Sequence, residues 1–219
     1  KKHLLDLAMD NARHAFEEKR RAAEDVDERL ARVQQRLRLP TLPRRIECID
    51  ISHLGGGDTV GAIVALDNGV PNKKRYKTFN VKTVGDGDDY AAMYEVLSRR
   101  FRRGRDEGAA EETWELPDLL VVDGGRGQLA IALTAAHDLG LHDLAVVGLA
   151  KERESPLGEK LVDRVYLPGQ KNPIPLRPNG PELFLLARAR DEAHRFANRG
   201  RKKVGKRRRF ASELDRIRG

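Results

Sequence analysis

Cysteine is nearly absent from this chain: Cys48 is the single one in 219 residues. One thiol excludes an internal disulfide and a zinc site built on cysteines, and makes a reducing cytoplasm the expected setting. No apolar run approaches the roughly 18–20 residues that a membrane-spanning helix needs, so no membrane partner is expected. The first residues, Lys1-Lys2-His3 with acids soon after, lack the apolar stretch of a secretory signal. There is no initiator Met, so the sequence is expected to be a piece of a longer protein. The Walker phosphate-binding loop, the G-x-G-x-x-G loop, a serine nucleophile elbow and a catalytic cysteine–histidine pair are all missing. Those absences argue against nucleotide hydrolysis and against acyl transfer through a serine or cysteine.

Charge, by contrast, is abundant, at 35% of residues, while 39% are hydrophobic. That apolar share is enough for one core under a highly charged surface. The net charge is +8. The stretch Arg199 to Arg209, RGRKKVGKRRR, carries eight Lys or Arg and no acid, so the rest of the chain is neutral. The basic character is therefore local. A run of this kind is either a solvated tail or a contact for phosphates, with Arg201, Lys202, Lys203, Lys206, Arg207, Arg208 and Arg209 as the candidates.

Periodicity orders the chain. Residues 3–38 contain neither Gly nor Pro and read as one long helix, with stripes at Leu5, Ala8, Ala12, Ala15 and at Val26, Leu30, Val33, Leu37. Lys19 interrupts the seam, which favours an amphipathic helix packed on the domain over a coiled coil. After Pro40 and Pro43, Arg45–Ser52 and Thr59–Leu66 read as strands, and Asp67-Asn68-Gly69 signals a hairpin into a third strand over 74–81. Asp88 or Asp89 caps a helix running to about Arg103, and residues 104–116 read as a loop. Leu119–Val122 is a short buried strand, a helix follows from about Gln128 to Leu139, and Leu144–Leu149 is another buried strand. A small hairpin spans Leu161–Leu167 and Ile174–Leu176. The last helix runs from about Pro181 to Asn198. This order describes an α/β fold: a mixed sheet with helices on both faces.

Two acids stand out. Asp50 lies inside the apolar strand Ile49-Asp50-Ile51, and Asp123 ends the buried run Leu-Val-Val. An unpaired buried carboxylate costs several kcal/mol, so each needs a partner. A meander followed by a crossover pairs the first strand with the fourth in parallel and sets the two acids side by side. Carboxylates about 3–5 Å apart repel unless a proton or cation lies between them, and oxygen ligands favour Mg²⁺ or Mn²⁺. An arginine partner or a helix cap is the plainer alternative for each acid. His194 sits at the edge of the apolar stripe of the last helix. It is either a packed boundary residue or a third ligand. Gly124-Gly125-Arg126-Gly127 reads as a tight turn into a helix, and Asp86-Gly87-Asp88-Asp89 as a capping cluster.

Taken together, Ile46-Glu47-Cys48-Ile49-Asp50-Ile51-Ser52-His53, Gly87-Asp88-Asp89-Tyr90-Ala91-Ala92-Met93, PDLLVVDGGRGQ over 117–128, Val147-Gly148-Leu149-Ala150-Lys151 and Arg190-Asp191-Glu192-Ala193-His194-Arg195-Phe196-Ala197 resemble the C-terminal nuclease region of the bacterial excision-repair subunit UvrC, in order and at compatible spacing. The resemblance covers about residues 1–215. It implies an RNase H-like fold with a mixed five-stranded sheet, helices on both faces and a long N-terminal helix. It implies a helical segment over 1–40, an endonuclease domain over 44–198, and a basic tail or linker over 199–219 toward a helix-hairpin-helix domain. It further implies metal-dependent hydrolysis of a DNA phosphodiester 5′ to a lesion, with Mg²⁺ or Mn²⁺ as cofactor. Damaged double-stranded DNA is the implied substrate, with UvrB as partner and UvrA acting upstream. The catalytic Asp–Asp–His set carries over to Asp50, Asp123 and His194, and a further acid to Asp88 or Asp89, of which Asp89 is preferred. Lys151 and Arg190 are candidates for phosphate contact, with surface ion pairing the alternative for both. Two rivals stand beside this reading: a non-catalytic DNA- or protein-docking module on the same scaffold, and an RNase H-like resolvase or transposase, which normally carries a third carboxylate where this chain has His194.

The basic run generates a direct expectation. Deleting residues 199–209 flattens the dependence of DNA affinity on salt, because fewer counterions are released on binding. A filter-binding series over salt concentration measures it; an unchanged slope makes the run a solvated segment and nothing more.

Overall fold

A computed structural model describes residues 25–54, 58–83, 87–107, 110–151, 163–177 and 180–218, with the backbone alone for 54, 58 and 200–218. A helix over 25–37 (α1) leads through Pro40 and Pro43 into two ten-residue strands, β1 (Arg45–Leu54) and β2 (Asp58–Asp67). These pair antiparallel along their whole length. The earlier part of the expected N-terminal helix, the glycines at 55–57 and Asp86 lie outside the described residues. The expected turn is present: Asn68 and Gly69 take φ values of 49° and 75°, which the Asn-Gly pair tolerates and most residues resist.

The strand expected over 74–81 is shortened to 77–80, and a separate two-residue strand precedes it. β3 (Val70–Pro71) and β4 (Lys77–Asn80) share the free edge of β2, separated by a 3₁₀ turn over Lys73–Arg75. Asn72 starts that turn by accepting a bond from the Lys74 amide at 3.1 Å. Helix α2 (Asp89–Glu107) extends further than the expected stop at Arg103, and a second 3₁₀ turn occupies Glu112–Trp114 within the expected loop. Then come β5 (Leu119–Asp123), α3 (Arg126–Asp138) and β6 (Val146–Ala150). The small hairpin, β7 (Arg164–Tyr166) and β8 (Ile174–Pro175), joins the same sheet, so the five expected strands become part of an eight-stranded one. Its order is β3-β2-β1-β5-β6-β7-β8, with β4 on β2. The pairs β1–β5 and β5–β6 are parallel and the others antiparallel.

The last helix, α4, runs from Pro181 to Arg218 rather than stopping near Asn198. The segment after 198 contains no proline and is dominated by good helix formers, so nothing forces a stop there, and the expected linker is helical instead. No helix among the described residues is long and apolar enough to cross a membrane.

Strand alternation divides the core between two faces. On one, Ile46 and Cys48 of β1, Leu119 and Val121 of β5, and Val147 and Leu149 of β6 pack against Leu30, Val33 and Leu37 of α1 and Leu186, Ala189 and Ala193 of α4. On the other, Ile49, Ile63, Leu120 and Val122 pack against Val96, Leu97 and Phe101 of α2 and Leu129 and Ala132 of α3. Helices therefore cover both faces, as expected.

Alternation also turns Glu47 inward, toward α2, where it is 1% exposed. Arg100 meets it with two bonds, Nε to Oε2 at 3.0 Å and Nη2 to Oε1 at 2.6 Å. Two further guanidinium N–H groups reach the Trp114 and Glu115 carbonyls at 3.0 and 2.7 Å, so the 3₁₀ turn is tied to the sheet. Removing one member of a buried pair leaves the other charge uncompensated. Arg100→Met alone is expected to cost about 3–5 kcal/mol in urea unfolding, and adding Glu47→Leu to recover most of it. A single-variant loss under about 1 kcal/mol contradicts this role.

Candidate active site

β1 and β5 lie in parallel register, with Ile49 opposite Val122. The next residue of each strand is an acid, so Asp50 and Asp123 end side by side. Both share the parity of Cys48 and Val121 and so face α4. Directly after Asp123, Gly124 has φ +151°, and a Cβ there would lie 2.6 Å from the Gln128 side chain. Glycine thus permits the turn that starts α3 immediately beyond the acid, and the Gln128 Oε1 accepts the Gly125 amide at 3.1 Å.

His194 of α4 comes down on the two carboxylates. Its Nδ1 is 3.3 Å from Asp50 Oδ1 and its Nε2 is 3.0 Å from Asp123 Oδ2. One ligand atom from each of the three residues lies within 4.8 Å of the others, the one group of this kind among the described residues. The Ser52 hydroxyl donates to Asp50 Oδ2 at 3.0 Å and fixes the rotation of that carboxylate. Asp50 and Asp123 are half-buried; His194 is exposed at 47% and keeps the cluster open to solvent. Burial raises the Asp123 carboxyl above its ordinary range, with the Asp50 charge adding to the rise, while His194 and Arg190 pull it back.

The donor set fits a divalent cation. A neutral imidazole donates from one nitrogen only, yet both ring nitrogens face a carboxylate oxygen. Two carboxylates and one imidazole are hard-to-borderline donors.

The other candidates are placed differently. Asp88 caps α2, accepting the Ala91 amide at 3.0 Å. Asp89 takes His53 Nε2 at 2.6 Å, and the His53 Nδ1 lies 2.9 Å from Thr59 Oγ1. Neither aspartate joins the three-residue cluster. Lys151 is exposed just past β6. For Arg190 the structure shows the ion-pair alternative: it is 7% exposed and its Nη1 bonds Asp163 Oδ2 at 2.9 Å. Of the basic run, from Arg201 to Arg209, the backbone is helical and the side chains lie outside the described residues, as does 152–162. Sequence reading passed over Ser52, His53 and Asp163. The first two lay in the strand motif and carried a signal through their two- and three-residue spacing from Asp50; Asp163 carried none.

Comparison with known proteins identifies the family. The sequence profile described as "UvrC RNAse H endonuclease domain" matches residues 34–198. The chain belongs to the UvrC RNase H endonuclease domain family. It is 44% identical over 221 residues to the UvrABC system protein C of Syntrophus aciditrophicus, spanning 99% of this chain and 34% of that protein. To its counterpart in Trichlorobacter lovleyi it is 46% identical over 203 residues, spanning 90% and 33%. The chain thus spans about a third of the length of these curated relatives. Among solved structures, a crystal structure of human ENDOV matches with TM-score 0.46 and 13% identity, over 83% of this chain and 99% of that one. A Ciona intestinalis Endonuclease V complex with inosine-containing DNA matches with TM-score 0.47 and 13% identity, over 83% and 98%. Membership makes this segment an RNase H-like endonuclease domain.

The raised Asp123 carboxyl has a measurable consequence. Below the ordinary carboxylate range both folded and unfolded chains are protonated there, and the site costs nothing. As pH rises through that range, the unfolded chain ionises first and metal-free stability falls, until the raised value is passed. At neutral pH without metal, Asp123→Asn is therefore expected to melt about 2–4 °C higher than the unaltered chain, the gap closing toward pH 4. Calorimetry across that pH series decides it, and a lower melting point for the variant at neutral pH contradicts it.

Proposed function

We propose that this segment is the metal-dependent endonuclease of a UvrABC-type excision system, hydrolysing a DNA phosphodiester 5′ to a lesion. The reading is carried by one observation: in a chain of this family, two strand-end carboxylates and a helix histidine converge within 4.8 Å. Asp50, Asp123 and His194 are the residues that would hold Mg²⁺ or Mn²⁺. Such a cation supplies positive charge to the phosphate being cleaved and acidifies the attacking water. Ser52 keeps one Asp50 oxygen occupied and so presents the other. His194, exposed on one side, leaves an approach for the phosphate. In this reading Lys151 and the basic run starting at Arg199 are candidates to contact the flanking DNA backbone through charge, without reading sequence.

The substrate class is damaged duplex DNA. UvrB is the partner that presents the lesion, after UvrA, and the setting is the cytoplasm. The working division keeps an endonuclease domain over 44–198, preceded by the helical segment over 1–40 and followed by a basic helical extension in place of a linker. The docking-module reading leaves the carboxylate–imidazole cluster without a use, and the resolvase reading lacks its third carboxylate.

The test uses a full-length protein carrying this segment, with its UvrA and UvrB partners and a lesion-bearing duplex. Asp50→Asn is expected to abolish the 5′ incision and spare the 3′ incision. His194→Ala is expected to weaken Mn²⁺ binding and cut 5′ incision by orders of magnitude, with little change in metal-free melting temperature. A destabilised His194→Ala variant with unchanged Mn²⁺ affinity, or persistence of the 5′ cut in Asp50→Asn, removes this assignment.

A further inference from the structure

A third acid stands at the same end of the sheet. β6 pairs with β5, placing Leu149 opposite Asp123, and with β7, placing Leu149 opposite Val165 and Ala150 opposite Arg164. Asp163 directly precedes β7 and shares the parity of Val165, which packs on the α4 face. Asp50, Asp123 and Asp163 thus belong to one face and one end of the sheet. Helix α4 answers them with two side chains four residues apart, about 6 Å along its axis. His194 meets Asp50 and Asp123; Arg190 meets Asp163 at 2.9 Å and Asp191 at 3.5 Å.

Arg190 is the positive charge buried next to the cluster, and it is electrostatically coupled to Asp123. Its charge also reaches Cys48, fully buried two residues before Asp50. The guanidinium meets Asp163 and Asp191, and Asp123 stands on the same face and at the same end of the sheet as Asp163. If it paired with Asp123 instead, it would occupy the oxygens that a cation needs and place a like charge beside that cation. The bond to Asp163 engages it elsewhere.

We infer that Asp163 is a positioning residue of the metal site: by holding Arg190 in an ion pair, it keeps the guanidinium off Asp123 and leaves that carboxylate free for the cation. The inference rests on the reading of Asp50, Asp123 and His194 as the metal-binding set. It assigns opposite consequences to the two halves of one ion pair. Loss of Asp163 releases Arg190 to compete with metal. Loss of Arg190 removes the competitor.

Mn²⁺ binding to the 219-residue chain, followed by electron paramagnetic resonance or calorimetry, tests this without any need for activity. Asp163→Asn keeps the shape and removes the charge; it is expected to weaken Mn²⁺ binding on the order of tenfold. Arg190→Met is expected to lower the melting temperature yet bind Mn²⁺ as tightly as the unaltered chain or more so. The double variant is expected to return to within about threefold of the unaltered affinity. Unchanged affinity in a folded Asp163→Asn chain overturns the inference. So does Arg190→Met binding as weakly as Asp163→Asn, since the pair then acts only by packing α4. Should Asp163→Asn fail to fold, Arg190→Met and the double variant still decide between competition and packing. Failure of the underlying site reading shows separately, as an unaltered chain whose Mn²⁺ binding is absent or indifferent to Asp50→Asn.

Discussion

Two carboxylates carried to the same height by parallel strands repel one another, and burial makes the repulsion costlier. The pairing of β1 with β5 imposes this on the molecule, because Ile49 opposite Val122 leaves Asp50 and Asp123 as the next residues in each strand. Local relief is small: Ser52 donates one bond to Asp50, and beyond Asp123 the chain turns away at Gly124. Relief has to come from another element. α4 supplies it, crossing the face on which both acids stand and placing His194 over them. The packing of Leu186, Ala189 and Ala193 on the sheet is thereby also the alignment of the site, since these residues share one face of the helix with Arg190 and border His194. A small shift of α4 would change the core and the carboxylate contacts together.

The same strand meets a second buried acid on its other face, and the solution there is different. Glu47 is closed off by Arg100 with two bonds, and two further N–H groups of the arginine reach the carbonyls of residues 114 and 115. That pair is buried with both carboxylate oxygens bonded, so it fixes α2 and the 3₁₀ turn. Among the described residues, the Asp50–Asp123 pair is bonded by Ser52 and one imidazole, with the Arg190 charge nearby, and stays open to solvent. One acid is matched to full satisfaction and the other two are left under-compensated. This contrast sets an acid that serves the fold apart from the two acids proposed to take a cation.

How much of this could be read in advance follows from the range of each interaction. Asp50 and Asp123 were legible because an acid inside a short apolar strand is a local contradiction, and their convergence followed from strand order alone. The Asn68–Gly69 turn was legible for its demand on φ. His194 was legible as a candidate, but its two carboxylate contacts depend on how α4 crosses the sheet, which no local pattern encodes. Arg190 was left between phosphate contact and ion pairing, because its partner Asp163 lies 27 residues away on another element. Arg100 and Glu47, separated by 53 residues, were illegible for the same reason. The extension of α4 past Asn198 was missed because charge density was taken as a sign of a linker, although Lys and Arg are good helix formers and no proline intervenes.

The charge count at the sheet end ties these observations together. With a cation bound through the proposed set, two aspartates and one histidine would offer two negative charges, a total that one divalent cation cancels. A third free carboxylate would leave a surplus, calling for a second cation or for a permanent positive side chain. This chain has that third acid in Asp163 and has already matched it with Arg190, at 2.9 Å and away from solvent. On the proposed reading, a histidine as third ligand and a third aspartate paired with arginine are two parts of one arrangement. Replacing His194 by a carboxylate would bring the open charge to three and favour the more acidic architecture of the resolvase type. Keeping His194 holds the site at two, provided that Arg190 stays with Asp163.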